Sequence, residues 1–266
     1  MLLLKIIVPI LVIESLECSK TSDSTQYLKY CECEKDGNGI VGDPCVLLCT
    51  GKELKNIPVT VPPSTYIIQI SDSSVSSASI PKNLTSNNLD RLIIRSSQIS
   101  TVKAPNLNLN KLGVLDLGKN PIQLIDFSSG VDNLQILRLD HAGLKNFDAS
   151  LYHIPKLFHL KLSNNPIKHL NLNGLKLEKL ELNNVGLVCF DVTNDLDNCD
   201  LKTAKLANNK LKTFQSSRKL QEIDIRGNHD ISRIKFSTLP RELRADDYSL
   251  PCDCCILKQF TSLFFT

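Results

Sequence analysis

The feature that most restricts this 266-residue chain is the spacing of apolar residues in segment 112–122, LGVLDLGKNPI. Leu112, Leu115, Leu117 and Ile122 follow at steps of three, two and five, with Asn120 inside the last interval. A helix needs steps of three and four and a strand steps of two, so neither alone explains the segment. A short strand that turns sharply into a loop does explain it. The asparagine amide can then serve backbone groups inside the turn, where water does not reach. The spacing recurs along the chain. Aligned on the second apolar position, the series reads Ile68, Leu92, Leu115, Leu137, Leu160, Leu180, Ala204, Ile223 and Leu243, at intervals of 19 to 24 residues. Two residues further on stand Ile70, Ile94, Leu117, Leu139, Leu162, Leu182, Leu206, Ile225 and Ala245.

This pattern, L-x-x-L-x-L-x-x-N-x-L, resembles the leucine-rich repeat. The resemblance implies a solenoid of the α/β horseshoe class, with a parallel concave sheet of about nine short strands. The convex side is expected to hold loops and single helical turns, at 127–131 and 151–154, with Pro121, Pro155 and Pro166 keeping the loops extended. Phe127, Phe147, Phe190, Phe214 and Phe236 recur ten to thirteen residues after their strand markers, which places them in the convex half of the core. The asparagine position itself is occupied by Ser73, Ser97, Asn120, Ala142, Asn165, Val185, Asn209, Asn228 and Tyr248. Ala142 and Val185 have no amide, so their turns must be satisfied in another way or loosen.

The ends of the chain resemble the flanks of extracellular leucine-rich repeat proteins. Segment 31–58 carries a C-x-C pair, Cys31 and Cys33, then Cys45 and Cys49, then Leu54, Ile57 and Pro58 in an L-x-x-I-P segment. The departure from the family is that its additional cysteine usually precedes the C-x-C, whereas here it is Cys45. Asp36 to Gly39 reads as the loop between two short strands. One intervening residue strains a Cys31–Cys33 bridge. That leaves either Cys31–Cys49 with Cys33–Cys45, or Cys31–Cys45 with Cys33–Cys49; the family analogy favours the first. Cys189 and Cys199 are spaced for a disulfide across the loop between them. At the other end, Cys252, Asp253 and Cys254 match the family's C-D-C motif without its later cysteines, so Cys252, Cys254 and Cys255 form an odd set open to an intermolecular bond.

Ten cysteines concentrated toward the ends suggest an oxidising compartment. Residues 1–17 open with MLLLKIIVPILVI and read as a secretory signal peptide. Residues 18–30 read as a disordered linker, 31–58 as the N-terminal cap, 59–251 as the repeats, and 252–266 as a partial C-terminal cap. No later stretch has the length of a membrane span, so a soluble, secreted product is expected. Asn83 begins the one N-x-S/T sequon and is the expected glycosylation site.

The formal charge of +3, from 31 basic and 28 acidic residues, is close to balance, with no run of one sign. Nucleic acid is therefore not an expected partner. No G-x-S-x-G, H-E-x-x-H or phosphate-cradling loop occurs, and the five histidines are scattered. No enzyme activity, cofactor or metal is expected. Function should lie on the concave face, where residues beside the two apolar strand positions face outward. Ile67, Ile93, Val114 and Ile136 make an apolar patch rimmed by Arg91, Arg95 and Arg138, and Asp116, Asp140, His159 and Lys161 continue it. An apolar centre with an arginine rim fits a protein or glycan partner, in extracellular recognition or innate immunity. For any single charged residue the alternative is a cross-strand pair, such as Asp116 with Arg138. Two other roles fit the same chain: a disulfide-tethered structural subunit, and a truncated receptor ectodomain.

Overall fold

A computed structural model describes residues 30–35, 44–58, 61–79, 88–103, 111–129, 131–191, 200–216 and 220–246. The signal segment, the 36–39 loop, Asn83, Cys199, Tyr248 and the C-terminal cysteines lie outside the described residues.

The chain forms a leucine-rich repeat solenoid whose concave face is an 11-stranded sheet. Its first two strands, β1 (Cys31–Lys35) and β2 (Cys45–Thr50), are antiparallel. Parallel pairing then runs through β3 (Thr65–Ser71), β5 (Arg91–Arg95), β7 (Val114–Asp116), β9 (Ile136–Arg138) and β11 (His159–Lys161). It continues through β13 (Lys179–Glu181), β15 (Thr203–Lys205), β17 (Glu222–Asp224) and β19 (Glu242–Arg244). The register follows the sequence alignment: Ile68, Leu92, Leu115, Leu137, Leu160, Leu180, Ala204, Ile223 and Leu243 are Cα partners from strand to strand.

The convex side differs from the expected helical turns. It carries short strands in small parallel sheets: β4 (Ser77–Ser79), β6 (Thr101–Lys103) and β8 (Leu124–Asp126); β10 (Asn146–Asp148) and β12 (His169–Asn171); and β14 (Cys189–Asp191), β16 (Thr213–Ser216) and β18 (Arg233–Phe236). Among the described residues the one helical turn is a 3-10 turn at Ala149–Leu151, capped by the Asp148 carboxylate. The reason is an alternating pattern. In Asn146-Phe147-Asp148 and His169-Leu170-Asn171 one apolar side chain between two polar ones can point inward only from an extended backbone. Phe127, Phe147, Phe190 and Phe214 are at most 3% exposed, as expected for the convex half of the core. Tyr152 wedges between Phe127 and Phe147 with ring centroids 5.6 and 5.4 Å away, and Phe236 lies 5.6 Å from Phe214.

The cap closes the apolar end of the stack. Among the described residues the disulfides are Cys31–Cys49 and Cys33–Cys45, the pairing favoured by family analogy. Cys45, Leu47 and Cys49 alternate onto the core face of β2 and are at most 5% exposed. The expected Cys189–Cys199 bridge falls partly outside the described residues, and Cys189 is a free, exposed thiol. In β14 the inward position belongs to Phe190, which turns Cys189 toward solvent.

Each asparagine of the ladder bonds two coils. Asn165 Oδ1 accepts from the N–H groups of Ala142 and Leu144 at 2.9 and 3.0 Å, while Nδ2 donates to the carbonyls of Leu139 and Leu162, both at 2.8 Å. Asn120 does the same for the coil of Ser97 and Ile99, and Asn209 for that of Val185 and Leu187. The amide therefore serves the coil before its own, and Ala142 and Val185 sit in turns capped from the next coil. The turns at Asn120 and Asn165 face Ala142 and Val185, so they receive no side-chain amide from the next coil, and both continue with proline. Proline removes one N–H and fixes φ near −65°. The next N–H folds back onto the asparagine carbonyl, Ile122 to Asn120 and Ile167 to Asn165, both at 2.9 Å, and Ile122 also donates to the Ala142 carbonyl of the next coil at 3.0 Å.

Asn165→Ala takes hydrogen-bond partners from four buried backbone groups. At about 1–3 kcal/mol for each group left unsatisfied, a loss of at least about 3 kcal/mol is expected. Asn165→Asp, which keeps the shape but cannot donate, should lose a similar amount. Equilibrium urea denaturation checks both.

Candidate binding face

Outward residues of the concave sheet stand in columns, because parallel register repeats each strand position in the next coil. Ile67 lies on β3; Arg91, Ile93 and Arg95 on β5; Val114 and Asp116 on β7; Ile136 and Arg138 on β9; His159 and Lys161 on β11; Asp140 follows β9. Ile67, Ile93, Val114 and Ile136 are half-buried, so they keep accessible apolar surface. The acids do not face solvent as expected from strand alternation. Asp116 is 2% exposed and Asp140 4%, and His159 is also buried.

The first cause is Arg95. Its guanidinium reaches along the stack, with Nη1 donating to both carboxylate oxygens of Asp116 at 2.8 Å and Nη2 donating to Asp140 Oδ2 at 2.8 Å. Gly118 is what lets it pass. A Cβ there would sit 3.0 Å from the guanidinium atoms, and the Gly118 N–H donates to Asp116 Oδ1 at 3.1 Å. Arg138 adds a 3.6 Å ion pair to Asp116, the cross-strand pairing foreseen as the alternative, and His141 Nδ1 lies 3.5 Å from Asp140. Burial alone would raise the Asp140 pKa. The Arg95 hydrogen bond and charge, with Lys161 and His141, outweigh it and hold the carboxyl below its usual range. Asp140 Oδ1 is buried with no hydrogen-bond partner among the described residues.

A second network centres on Glu181. His159 Nε2 lies 3.2 Å from its Oε1, and Lys179 and Lys161 place Nζ at 3.4 and 3.6 Å. An ionised carboxylate only accepts, so in this contact His159 donates from Nε2. The His159 hydrogen bond is the main reason that the Glu181 pKa falls to about 2; burial opposes it, and Lys161, Lys205 and Lys179 assist. Further along, Arg226 grips Asp224 at 2.6 Å, and Arg244 meets Glu242 at 2.6 Å and Glu222 at 3.7 Å.

The sequence sets Glu181 and Gly118 beside the apolar strand positions without showing that each organises an ion-pair network. Glu181 was visible as the single acid between Lys161 and Lys205 in one column. Gly118 carries no comparable signal, because its importance depends on which neighbour crosses it. At the N-terminal end of the face a recess of about 440 Å³ is lined by Tyr30, Glu32, Leu48 and Gln69, among others. Among the described residues no group of His, Cys, Asp and Glu could hold a metal ion, and no helix is long and apolar enough to cross a membrane.

No protein-family profile matches the chain, and no curated protein does. Among solved structures it is similar to YopM from Yersinia enterocolitica WA-314, with 19% identity and a TM-score of 0.45. That match covers 70% of this chain and 47% of YopM.

Two outcomes test these networks. A depressed carboxyl pKa stabilises the fold above the unfolded value and loses that contribution as pH falls through the folded one. For Glu181, a drop from 4.5 to about 2 corresponds to about 3 kcal/mol. Glu181→Gln should therefore be less stable than the parent at pH 7, with the gap closing between pH 5 and pH 2 in urea titrations. A gap independent of pH would contradict the assignment. Arg95→Met leaves two buried carboxylates short of their base. Because Arg95 is 29% exposed, the cost should fall below that of a fully buried pair, at about 2 kcal/mol, measurable by thermal or urea unfolding.

Proposed function

We propose that this is a secreted recognition protein that binds a protein partner, or a glycan, through the concave face of its solenoid. The observation that carries the proposal is the half-buried patch of Ile67, Ile93, Val114 and Ile136, drawn from two adjacent columns and edged by Arg91, Arg95 and Arg138. The stack does not need these side chains, since its core is built by the two alternating positions between them. Apolar area that the fold leaves accessible, edged by arginine, suits a protein interface. The two intramolecular disulfides are compatible with an oxidising, extracellular setting. A role in extracellular recognition or innate immunity, a glycan on Asn83 and the lack of enzymatic activity belong to the same reading.

The test is capture from extracellular fluid with the parent protein and with a variant carrying Arg91→Ala, Ile93→Ala, Ile136→Ala and Arg138→Ala. The parent should retain a partner that the variant loses, while circular dichroism shows both folded. Equal capture by both would overturn the assignment of the concave face.

A further inference from the structure

We propose that the partner segment taken by this face is acidic, with an apolar anchor next to its carboxylates; this rests on the concave face being the binding surface. The basis is how charge is sorted by depth. Between β5 and β15 the outward residues include six bases, Arg91, Arg95, Arg138, Lys161, Lys179 and Lys205, and three acids, Asp116, Asp140 and Glu181. The acidic side chains are 3, 5 and 10% exposed, whereas the basic side chains that pair with them are 29 to 39% exposed. An approaching molecule therefore meets ammonium and guanidinium groups above carboxylates that are already engaged.

The bases still have donors to give. Lys161 and Lys179 reach Glu181 only at 3.6 and 3.4 Å, and Arg138 reaches Asp116 at 3.6 Å. Those separations are long for charge-assisted hydrogen bonds, so shorter contacts to an incoming carboxylate are open to all three. The buried acids have no such freedom. Asp116 and Glu181 are each held by at least two basic side chains.

Ordering along the stack favours a protein segment over a sulfated glycan. The column that carries Lys161 and Lys205 is interrupted by Asp116 and Glu181 and holds Ile93 next to Asp116. A uniformly charged chain would meet those interruptions, and a glycan has no side chain for Ile93, Val114 and Ile136. Neighbouring strands are about 4.8 Å apart, so β9 to β15 spans roughly 14 Å. Four or five extended residues cover that distance. Five such residues turn three alternate side chains to the sheet, enough to lay an aliphatic group on Ile136 and place two carboxylates among Lys161, Lys179 and Lys205.

The probes are the peptide Leu-Ser-Leu-Ser-Glu-Ser-Glu-Ser-Glu, its counterpart with Lys in place of Glu, and a heparin octasaccharide, each fluorescently labelled and titrated with the full protein. The acidic peptide should bind at least tenfold more tightly than the basic one and weaken several-fold from 0.05 to 0.3 M NaCl. The combined Lys161→Gln, Lys179→Gln and Lys205→Gln variant should lose about tenfold, whereas Lys145→Gln with Lys212→Gln on the convex side should change nothing. Glu181→Gln, which shifts the same face by one positive charge, should tighten binding. Equal affinity for both peptides, binding of heparin but not the acidic peptide, or no binding by any probe would overturn the acidic-segment proposal. If capture from extracellular fluid still depends on Arg91, Ile93, Ile136 and Arg138 in that event, the concave-face reading stands and only the partner's chemistry is wrong.

Discussion

The solenoid depends on one side-chain amide used as a backbone group. Stacking coils into a column leaves each turn with N–H and C=O groups in a dry interior, and burying them unpaired costs more than the turn's apolar contacts return. The asparagine amide answers with an acceptor and two donors at the right separation. Asn209 shows the full arrangement: three N–H groups of the coil at Val185 converge on its Oδ1 within 3.1 Å, and its Nδ2 bonds the carbonyls of Leu182 and Leu206. Because the two ends of the amide serve different coils, one residue fixes both the turn and its distance to the neighbour. The turn itself needs a left-handed residue immediately before the ladder position. Asp72, Ser96, Lys119, His141, Asn164, Asn184 and Asn208 all have φ between 49 and 60°. That conformation is unfavourable for most of these residue types. It is held here by bonds such as Lys119 N–H to the Asp140 carbonyl at 2.8 Å and Asn208 N–H to the Arg226 carbonyl at 2.7 Å.

The ladder also explains which positions can lose the amide. An asparagine protects the coil before it, so Ala142 exposes the turn at Asn120, and Val185 the turn at Asn165. Both exposed turns hold Asn-Pro, where the missing proline N–H removes one demand and a tight fold-back removes another. Ile99 and Leu211 occupy the same place in turns without proline, and they receive their bond from Asn120 and Asn228. Pairing of a proline in one coil with an apolar residue in the next is a consequence of hydrogen-bond supply.

These relations define what the sequence could convey. Strand register was legible because it is local: two apolar residues two apart, repeated, leave one way to stack. The buried phenylalanines were legible for the same reason, whereas the cysteine cap and its pairing followed from the resemblance of segment 31–58 to the family's N-terminal flank. The convex strands were missed because repeats of this length set no backbone conformation by spacing alone; the in–out alternation around Phe147 and Leu170 decides it. On the binding face, sequence gave each residue's column but not its depth. Asp116 and Arg138 are neighbours by register, as foreseen, yet the stronger partner of Asp116 is Arg95. That contact depends on Gly118 having no side chain, two residues away and in a different column.

Depth is what separates the chemistry of this face from its composition. Counted along the chain, 31 bases and 28 acids nearly cancel. Counted at the concave surface they do not, because a short Asp or Glu on a closely spaced sheet is covered by the longer Arg or Lys beside it. The carboxylate gains bonds and loses water, and the cation keeps its methylenes on the sheet with its head in solvent. Any sheet column that alternates the two signs will tend to show its cations outward for this reason. Here three acids lie beneath longer bases, and the apolar patch of Ile93, Val114 and Ile136 lies beside them. The surface a partner meets is therefore set by side-chain length as much as by the balance of charge.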